Sequence, residues 1–278
     1  SEVKHELILQ ETLRNLYDGM PILEIDKALI ISARTLVEQD PNYTYATARF
    51  LLRTLYTEAL DFLELPTAVY TNNHAGVYHH YFQHYIKRGV ALELLDPQLR
   101  SFDLEKLGKA LLPERDQQFT YLSLQTLYDR YFLHADDVRF ELPQAFFMRI
   151  AMGLAQQESN KEDRAIEFYQ LLSSFDYMAS TPTLFNAGTL RPQLSSCFLT
   201  TVADDLDQIY SAIKDNALLS KFAGGLGNDW TPVRAMGARI KGTNGKSLGV
   251  VPFLNVANAS AVAVNQGGKR KGAVCAYL

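Results

Sequence analysis

Cysteine is scarce in this chain: 278 residues contain only Cys197 and Cys275. Two thiols cannot build a disulfide framework, so a reducing, cytosolic setting is the simplest reading. Long apolar runs are absent too. The longest, 250–264, is interrupted by Asn255, Asn258, Ser260 and a proline, and it falls short of the roughly 20 residues that a bilayer span needs. It reads as a buried helix between loops. The opening Ser1-Glu2-Val3-Lys4-His5-Glu6 lacks the apolar core of a signal peptide. There is no Gly-x-x-x-x-Gly-Lys-Ser/Thr loop, which excludes a P-loop nucleotide site. Acidic residues disappear after Asp229, while Arg234, Arg239, Lys241, Lys246, Lys269, Arg270 and Lys271 remain.

What is present is an ordinary globular composition, 47% hydrophobic and 21% charged, with fifteen Tyr and fifteen Phe. Such aromatic content argues against disorder, and the length allows two domains. Residues 1–229 carry 20 basic and 31 acidic side chains, or −11. An acid-free cationic stretch on an acidic protein points to a local anion site rather than a nucleic-acid coat; a solvated basic face is the alternative.

Residues 1–175 read as helices. From Glu24 to Glu38, Ile25, Ala28, Leu29, Ser32 and Leu36 fall on one side, and from Thr44 the same spacing aligns Ala48, Leu51, Leu52, Leu55 and Ala59. Pro143 opens another helix, with Phe146, Phe147, Ile150, Ala151 and Leu154 inward. Lys161–Ser174 follows with Ile166, Tyr169, Leu172 and Ser173. Near Ala179 the texture changes. Ser180-Thr181-Pro182-Thr183 and Asn186-Ala187-Gly188 are turn chemistry. A strand at Cys197–Val202, a helix at Leu206–Phe222, a glycine loop at Ala223-Gly224-Gly225-Leu226-Gly227 and a loop at Gln266–Gly272 then alternate, which reads as α/β. The last residues, Lys271–Leu278, look like an incipient strand after a glycine loop, so the chain is expected to be a fragment.

Several groups could carry chemistry. Cys197 lies at the mouth of a strand beside Ser195 and Ser196; buried packing is the bland alternative. His80 and His84 have the spacing of a metal pair, but no third ligand is evident, and amphipathic packing is the stronger reading. Gly224-Gly225-Leu226-Gly227 faintly resembles a dinucleotide loop but lacks the preceding strand and the downstream acid. In 266–272 the cations can meet phosphate, while Gln266 and Arg270 can hydrogen-bond a base edge. Hydroxyls on Thr181 and Ser196 can hold a phosphate without a Walker lysine.

Together, the run Ser180-Thr181-Pro182-Thr183-Leu184-Phe185-Asn186-Ala187-Gly188, then Ser195-Ser196-Cys197, then Pro252-Phe253 and Asn265-Gln266-Gly267-Gly268-Lys269-Arg270-Lys271-Gly272-Ala273 resemble the large (α) subunit of ribonucleotide reductase, class I in character. The resemblance covers essentially the whole chain and is most specific from Tyr177 onward. It implies an α/β fold class: a mainly helical N-terminal domain, then the first strands and helices of a ten-stranded α/β barrel, incomplete here. The implied divisions are 1–60, an ATP-cone remnant; 61–193, an all-α domain; and 194–278, the start of the barrel with its specificity loops.

The same resemblance implies roles. Cys197 matches the cysteine that, with a distant partner, reduces ribonucleoside diphosphates through a transient disulfide; Cys275 matches no family cysteine. Thr181 and Ser196 match holders of the substrate diphosphate. Asp204 matches the acid on the effector deoxyribose, Arg234 an effector-phosphate contact, and Lys241 stands where a further cation is usual. Gln266 and Arg270 match the loop that passes information from effector base to substrate base. Helix 206–222 would form a homodimer interface. The expected partners are a small radical-generating (β) subunit, which carries the radical cofactor, and thioredoxin or glutaredoxin; no metal, membrane or nucleic acid is expected, and dNTP or ATP act as effectors. Ile22 and Asp26 stand where the cone expects Thr and His, so ATP should not bind residues 1–60. The radical cysteine and the acid/base residues belong to family segments beyond residue 278, so this chain should not turn over alone. A cobalamin-dependent (class II) reductase and a non-catalytic nucleotide-binding or assembly module are the competing readings.

Overall fold

The computed structural model describes residues 3–66, 74–221, 224–264 and 273–278. The chain divides into two compact units: Ser1–Met178 with Ala187–Pro192, and Ala179–Asn186 with Gln193–Leu278.

The first unit is helical. Helices α1 (His5–Asn15), α2 (Ile22–Thr35) and α3 (Tyr43–Phe62) open it, followed by α4 (His74–Ala91), α5 (Leu104–Ala110), α6 (Tyr121–Arg130), α7 (Pro143–Ala155) and α8 (Lys161–Ser173). The expected faces are largely observed: Ala48, Leu51, Leu52, Leu55 and Ala59 of α3 are all buried. Pro143 takes the first turn of α7, where its missing N–H leaves no bond unmade. That helix is buried nearly all round, with half-buried Gly153 and exposed Leu154 the exceptions. The only strands described here are the short pair β1 (His134–Ala135) and β2 (Val138–Arg139).

Two buried polar networks hold this helical core. The Asp116 carboxylate accepts from Tyr56 at 2.5 Å, Tyr78 at 2.8 Å and Gln144 at 2.7 Å. Burial nonetheless pushes its pKa up to about 6, because desolvation of the charged form outweighs three donors. Glu141 pairs with Arg149 at 2.7 Å, both side chains fully buried, and Arg149 also donates to the Ala187 carbonyl at 2.6 Å. Every bond of such a pair matters, since a buried charge left unpaired is costly.

The second unit is a parallel α/β layer. It contains α9 (Thr181–Asn186), β3 (Cys197–Thr201), α10 (Leu206–Ser220), β4 (Gly225–Asp229), α11 (Val251–Ala263) and β5 (Val274–Tyr277). The sheet order is β3-β4-β5, parallel throughout, with Cys197 opposite Gly225 and Gly227 opposite Cys275. Parallel neighbours require crossovers, and α10 and α11 supply them. Both helices pack on one face, over a core of Val202, Ile209, Ala212, Ile213, Trp230 and Ala257.

Three expectations are corrected here. Gly225-Leu226-Gly227 is not loop but the start of the central strand, since both neighbours pair with it. Thr181-Pro182-Thr183 begins a short helix rather than a turn. Val251–Ala263 is helical, but among its described residues only Ala257 is buried. A helix buries only the face that its neighbours cover, and here α10 and β5 cover one side. The expected loop 266–272 lies outside the described residues, as does Phe222; α10 is described to Ser220.

Candidate functional site

In parallel strands, residues in register point to the same face, and alternate residues to opposite faces. Cys197, Leu199 and Thr201 of β3 therefore share a face with Gly225 and Gly227 of β4 and with Cys275 and Tyr277 of β5. Contacts bear this out: a Cβ on Gly225 would lie 3.4 Å from the Cys197 sulfur, and one on Gly227 would lie 2.7 Å from Leu199 and 3.1 Å from Tyr277. Glycine at 227 lets those two side chains close over the strand. Among the described residues no helix is seen to pack on this face, and Leu199 is 78% exposed although apolar. The opposite face carries Phe198, Leu226 and Asn228 toward the helices.

Cys197 thus sits at the first residue of β3, its thiol on the open face and exposed. The Ser196 carbonyl accepts from Gly225 N–H at 2.7 Å, which fixes the strand mouth. Upstream, Gln193 and Ser195 form a local turn, Ser195 N–H donating to Gln193 Oε1 at 2.6 Å. Asn186 Nδ2 donates to the Gln193 carbonyl at 2.7 Å and Thr183 Oγ1 to the Leu194 carbonyl at 3.3 Å. The helix bearing Thr181 is thereby tied to the segment bearing Ser196. Cys197 and Cys275 lie on opposite sides of β4, two residues out of register. With strands about 4.8 Å apart and about 3.3 Å per residue, their Cα atoms are roughly 11–12 Å apart, beyond the ~7 Å limit for a disulfide.

Asp204 and Arg234 meet across a thirty-residue separation in sequence. Arg234 donates from its backbone N–H at 3.1 Å and from Nε to both carboxylate oxygens at 2.9 Å. That guanidinium holds the Asp204 carboxyl below the usual carboxylate range. The pair lines an open pocket of about 340 Å³, within the size range of small-molecule sites. Its floor is apolar, from Leu206, Ile209, Val233, Ile240 and Phe253; Thr243 and Ser247 add hydroxyls. Asp205, also in the lining, accepts from Asp207 and Gln208 N–H and so caps α10. Lys241 is exposed and is not among the lining residues. Gln266 and Arg270 lie outside the described residues.

Elsewhere, Asp26 faces Arg53 at 3.5 Å and Ile22 is 79% exposed. His84 Nδ1 lies 2.8 Å from the His80 carbonyl, and no group of three metal-ligating side chains occurs among the described residues. No described helix is long and apolar enough to cross a membrane. One supporting pair was invisible in the sequence. Asn216 of α10 and Asn228 of β4 exchange amide hydrogen bonds at 2.6 and 3.2 Å, both buried. They lock helix to sheet beneath the thiol face.

The family description "Ribonucleotide reductase, all-alpha domain" matches residues 117–192, and "Ribonucleotide reductase, barrel domain" matches residues 195–278. The chain is 52% identical over 273 residues to the ribonucleoside-diphosphate reductase subunit alpha of Chlamydia muridarum, covering 98% of this chain and 26% of that protein. It is 42% identical to the subunit alpha of Helicobacter pylori strain 26695, covering 94% and 32%, and 35% identical to the large subunit of Monkeypox virus, covering 98% and 34%. The chain therefore spans between a quarter and about a third of the length of these relatives.

Proposed function

Because the chain belongs to the ribonucleotide reductase large-subunit family, carrying the all-alpha domain and the start of a barrel that does not close within it, we propose that it supplies one redox thiol and an effector pocket to a ribonucleoside-diphosphate reductase α subunit. The observation that carries this reading is Cys197 at the head of β3, exposed on the face of the parallel sheet opposite Phe198, Leu226 and Asn228. In a closed α/β barrel the helices lie outside and the opposite face of the sheet turns to the interior.

In this reading Cys197 is half of a dithiol. Two thiols give up two electrons and two protons and become a disulfide; the ribose 2′-hydroxyl departs as water and the carbon gains hydrogen. A dithiol suits this because its two-electron potential sets the equilibrium, and an external dithiol such as thioredoxin or glutaredoxin resets it. The second thiol and the radical-bearing cysteine come from segments beyond residue 278, and the β subunit supplies the radical. Thr181 and Ser196 hold the diphosphate near the thiol. Asp204 and Arg234 receive the sugar and phosphate of a dNTP effector, Lys241 adds charge near it, and Gln266 and Arg270 link effector base to substrate base. Helix α10, with exposed Leu206, Tyr210 and Leu218, pairs two copies, and the enzyme is cytoplasmic.

The test is Cys197→Ser in a full-length α subunit carrying this chain. Multiple turnover should be lost. Sustained turnover by the variant would overturn the dithiol role and favour a binding or assembly module. Dependence of the wild-type activity on adenosylcobalamin, rather than on a β subunit, would place it in the class II group.

A further inference from the structure

The Asp204–Arg234 pocket is not built as a plain anion hole. Among the described residues its charged lining is Asp204, Asp205 and Arg234, two acids to one cation. The Asp205 carboxylate already occupies the N-terminal amides of α10, which leaves that helix end no spare donors at N2 and N3 for an incoming phosphate. Among the described residues the Asp204 carboxylate receives its three hydrogen bonds from Arg234. The guanidinium spends its Nε on Asp204 and its Nη1 on the Arg239 carbonyl at 3.3 Å. Among the described residues no protein group engages Nη2. Both side chains keep about a third of their surface exposed, 34% and 35%, so a ligand can reach them.

A bare polyphosphate entering this pocket meets Arg234 already neutralised and two carboxylates beside it. Displacing Asp204 would leave an unpaired carboxylate beside the phosphate, and like charges in contact repel. A ligand that presents phosphate to the outer edge of the guanidinium and a hydroxyl to Asp204 avoids that conflict. The carboxylate keeps a donor, and the guanidinium keeps both anions.

We propose that Asp204 is a tethered counter-anion for Arg234: it holds the guanidinium when the pocket is empty, excludes bare phosphates, and admits a phosphate-bearing ligand only when that ligand also brings a sugar hydroxyl. This deepens, and rests on, the nucleotide reading of the pocket. It assigns Asp204 a rejecting role in addition to an attracting one, which is how specificity is commonly obtained.

The experiment is calorimetric titration of a full-length α subunit carrying this chain with three probes: inorganic tripolyphosphate, dTTP, and 2′,3′-dideoxythymidine triphosphate. Wild type should bind dTTP, discriminate against the dideoxy analogue, and bind tripolyphosphate weakly. Asp204→Asn should bind tripolyphosphate about tenfold more tightly or better, the scale of one charge-assisted contact released, and should lose its preference for dTTP over the dideoxy form. Asp204→Ala serves as a second variant if the amide misfolds, and adding Arg234→Gln should remove the gain. Tripolyphosphate binding that is unchanged or weaker in both Asp204 variants overturns the proposal, even where dTTP still binds wild type and the nucleotide reading stands. Gain of tripolyphosphate binding with no dTTP binding in wild type keeps the counter-anion and sinks the nucleotide reading. No binding of any probe by any of the proteins refutes both.

Discussion

Replacing Gly153 by alanine should destabilise the helical unit, although local propensity says the opposite. Gly153 lies within α7, where alanine is favoured over glycine by about 1 kcal/mol. Its missing side chain, however, is where the backbone of Ala187–Gly188 crosses. A Cβ there would overlap Gly188 N and lie 2.7 Å from the Ala187 carbonyl carbon and 2.9 Å from Gly188 Cα. Ordinary carbon contacts are about 3.5–4.0 Å, so the segment must move by about 1 Å. The Arg149–Ala187 hydrogen bond, 2.6 Å long, would then stretch to the edge of bonding distance. Gly188 offers no escape, since its φ of +75° and its approach to the Arg149 carbonyl restrict it as well. Overpacking costs about 1–3 kcal/mol and a lost bond to a charged donor about 1.5–3 kcal/mol. Set against the propensity gain, the net loss is about 2–5 kcal/mol. For a unit of this size that corresponds to a fall in Tm of about 5–15 °C, measurable by differential scanning calorimetry. Gly227→Ala is the control, because its Cβ would meet side-chain ends, Leu199 and Tyr277, that can swing away on the open face; it should cost less than about 1 kcal/mol. An unchanged or raised Tm for Gly153→Ala would refute the reasoning.

Asp116 gives a pH dependence of defined sign. Its folded pKa of about 6 exceeds the usual 3.8, so the folded state binds more protons between those values. Its contribution is fully present below about pH 4 and declines by about 3 kcal/mol as pH rises through 6. Urea titrations from pH 4 to 7 should show Asp116→Asn with a flatter slope than wild type, and a wild-type-to-variant difference that is constant with pH would refute the assignment. Asn216→Ala should cost about 2–3 kcal/mol, because Asn228 is left buried and unpaired; a double-mutant cycle with Asn228→Ala that returns no coupling would count against the reciprocal pair. Calorimetric titration of ATP should give no binding that Ile22 or Asp26 substitutions alter, and a measurable affinity traceable to residues 1–60 would show that the cone is functional.

Much of the helical unit was legible in the sequence, because each of its helices carries its own apolar period and its own breaker. Pro143 and the spacing from Thr44 to Ala59 placed two helices without reference to anything distant. Cys197 could be read as a strand-mouth thiol for the same reason: its polar turn and its strand are contiguous. Gly225-Leu226-Gly227 was misread as loop because glycine lacks strand propensity, and its strand character comes from being paired on both sides. The helix 251–263 was expected to be buried because composition reports affinity for a core, not whether neighbours cover it.

Composition, spacing and motif therefore determined the helical first half, the α/β alternation of the second and the family to which the chain belongs. Tertiary structure alone decided three other things. It brought Asp204 to Arg234, put both thiols on one sheet face while keeping them too far apart to bond, and pressed a loop against Gly153. The physical reason is range. Periodicity and capping act over one or two turns of chain, whereas ion pairing, strand register and close backbone approach depend on where segments tens of residues apart come to rest.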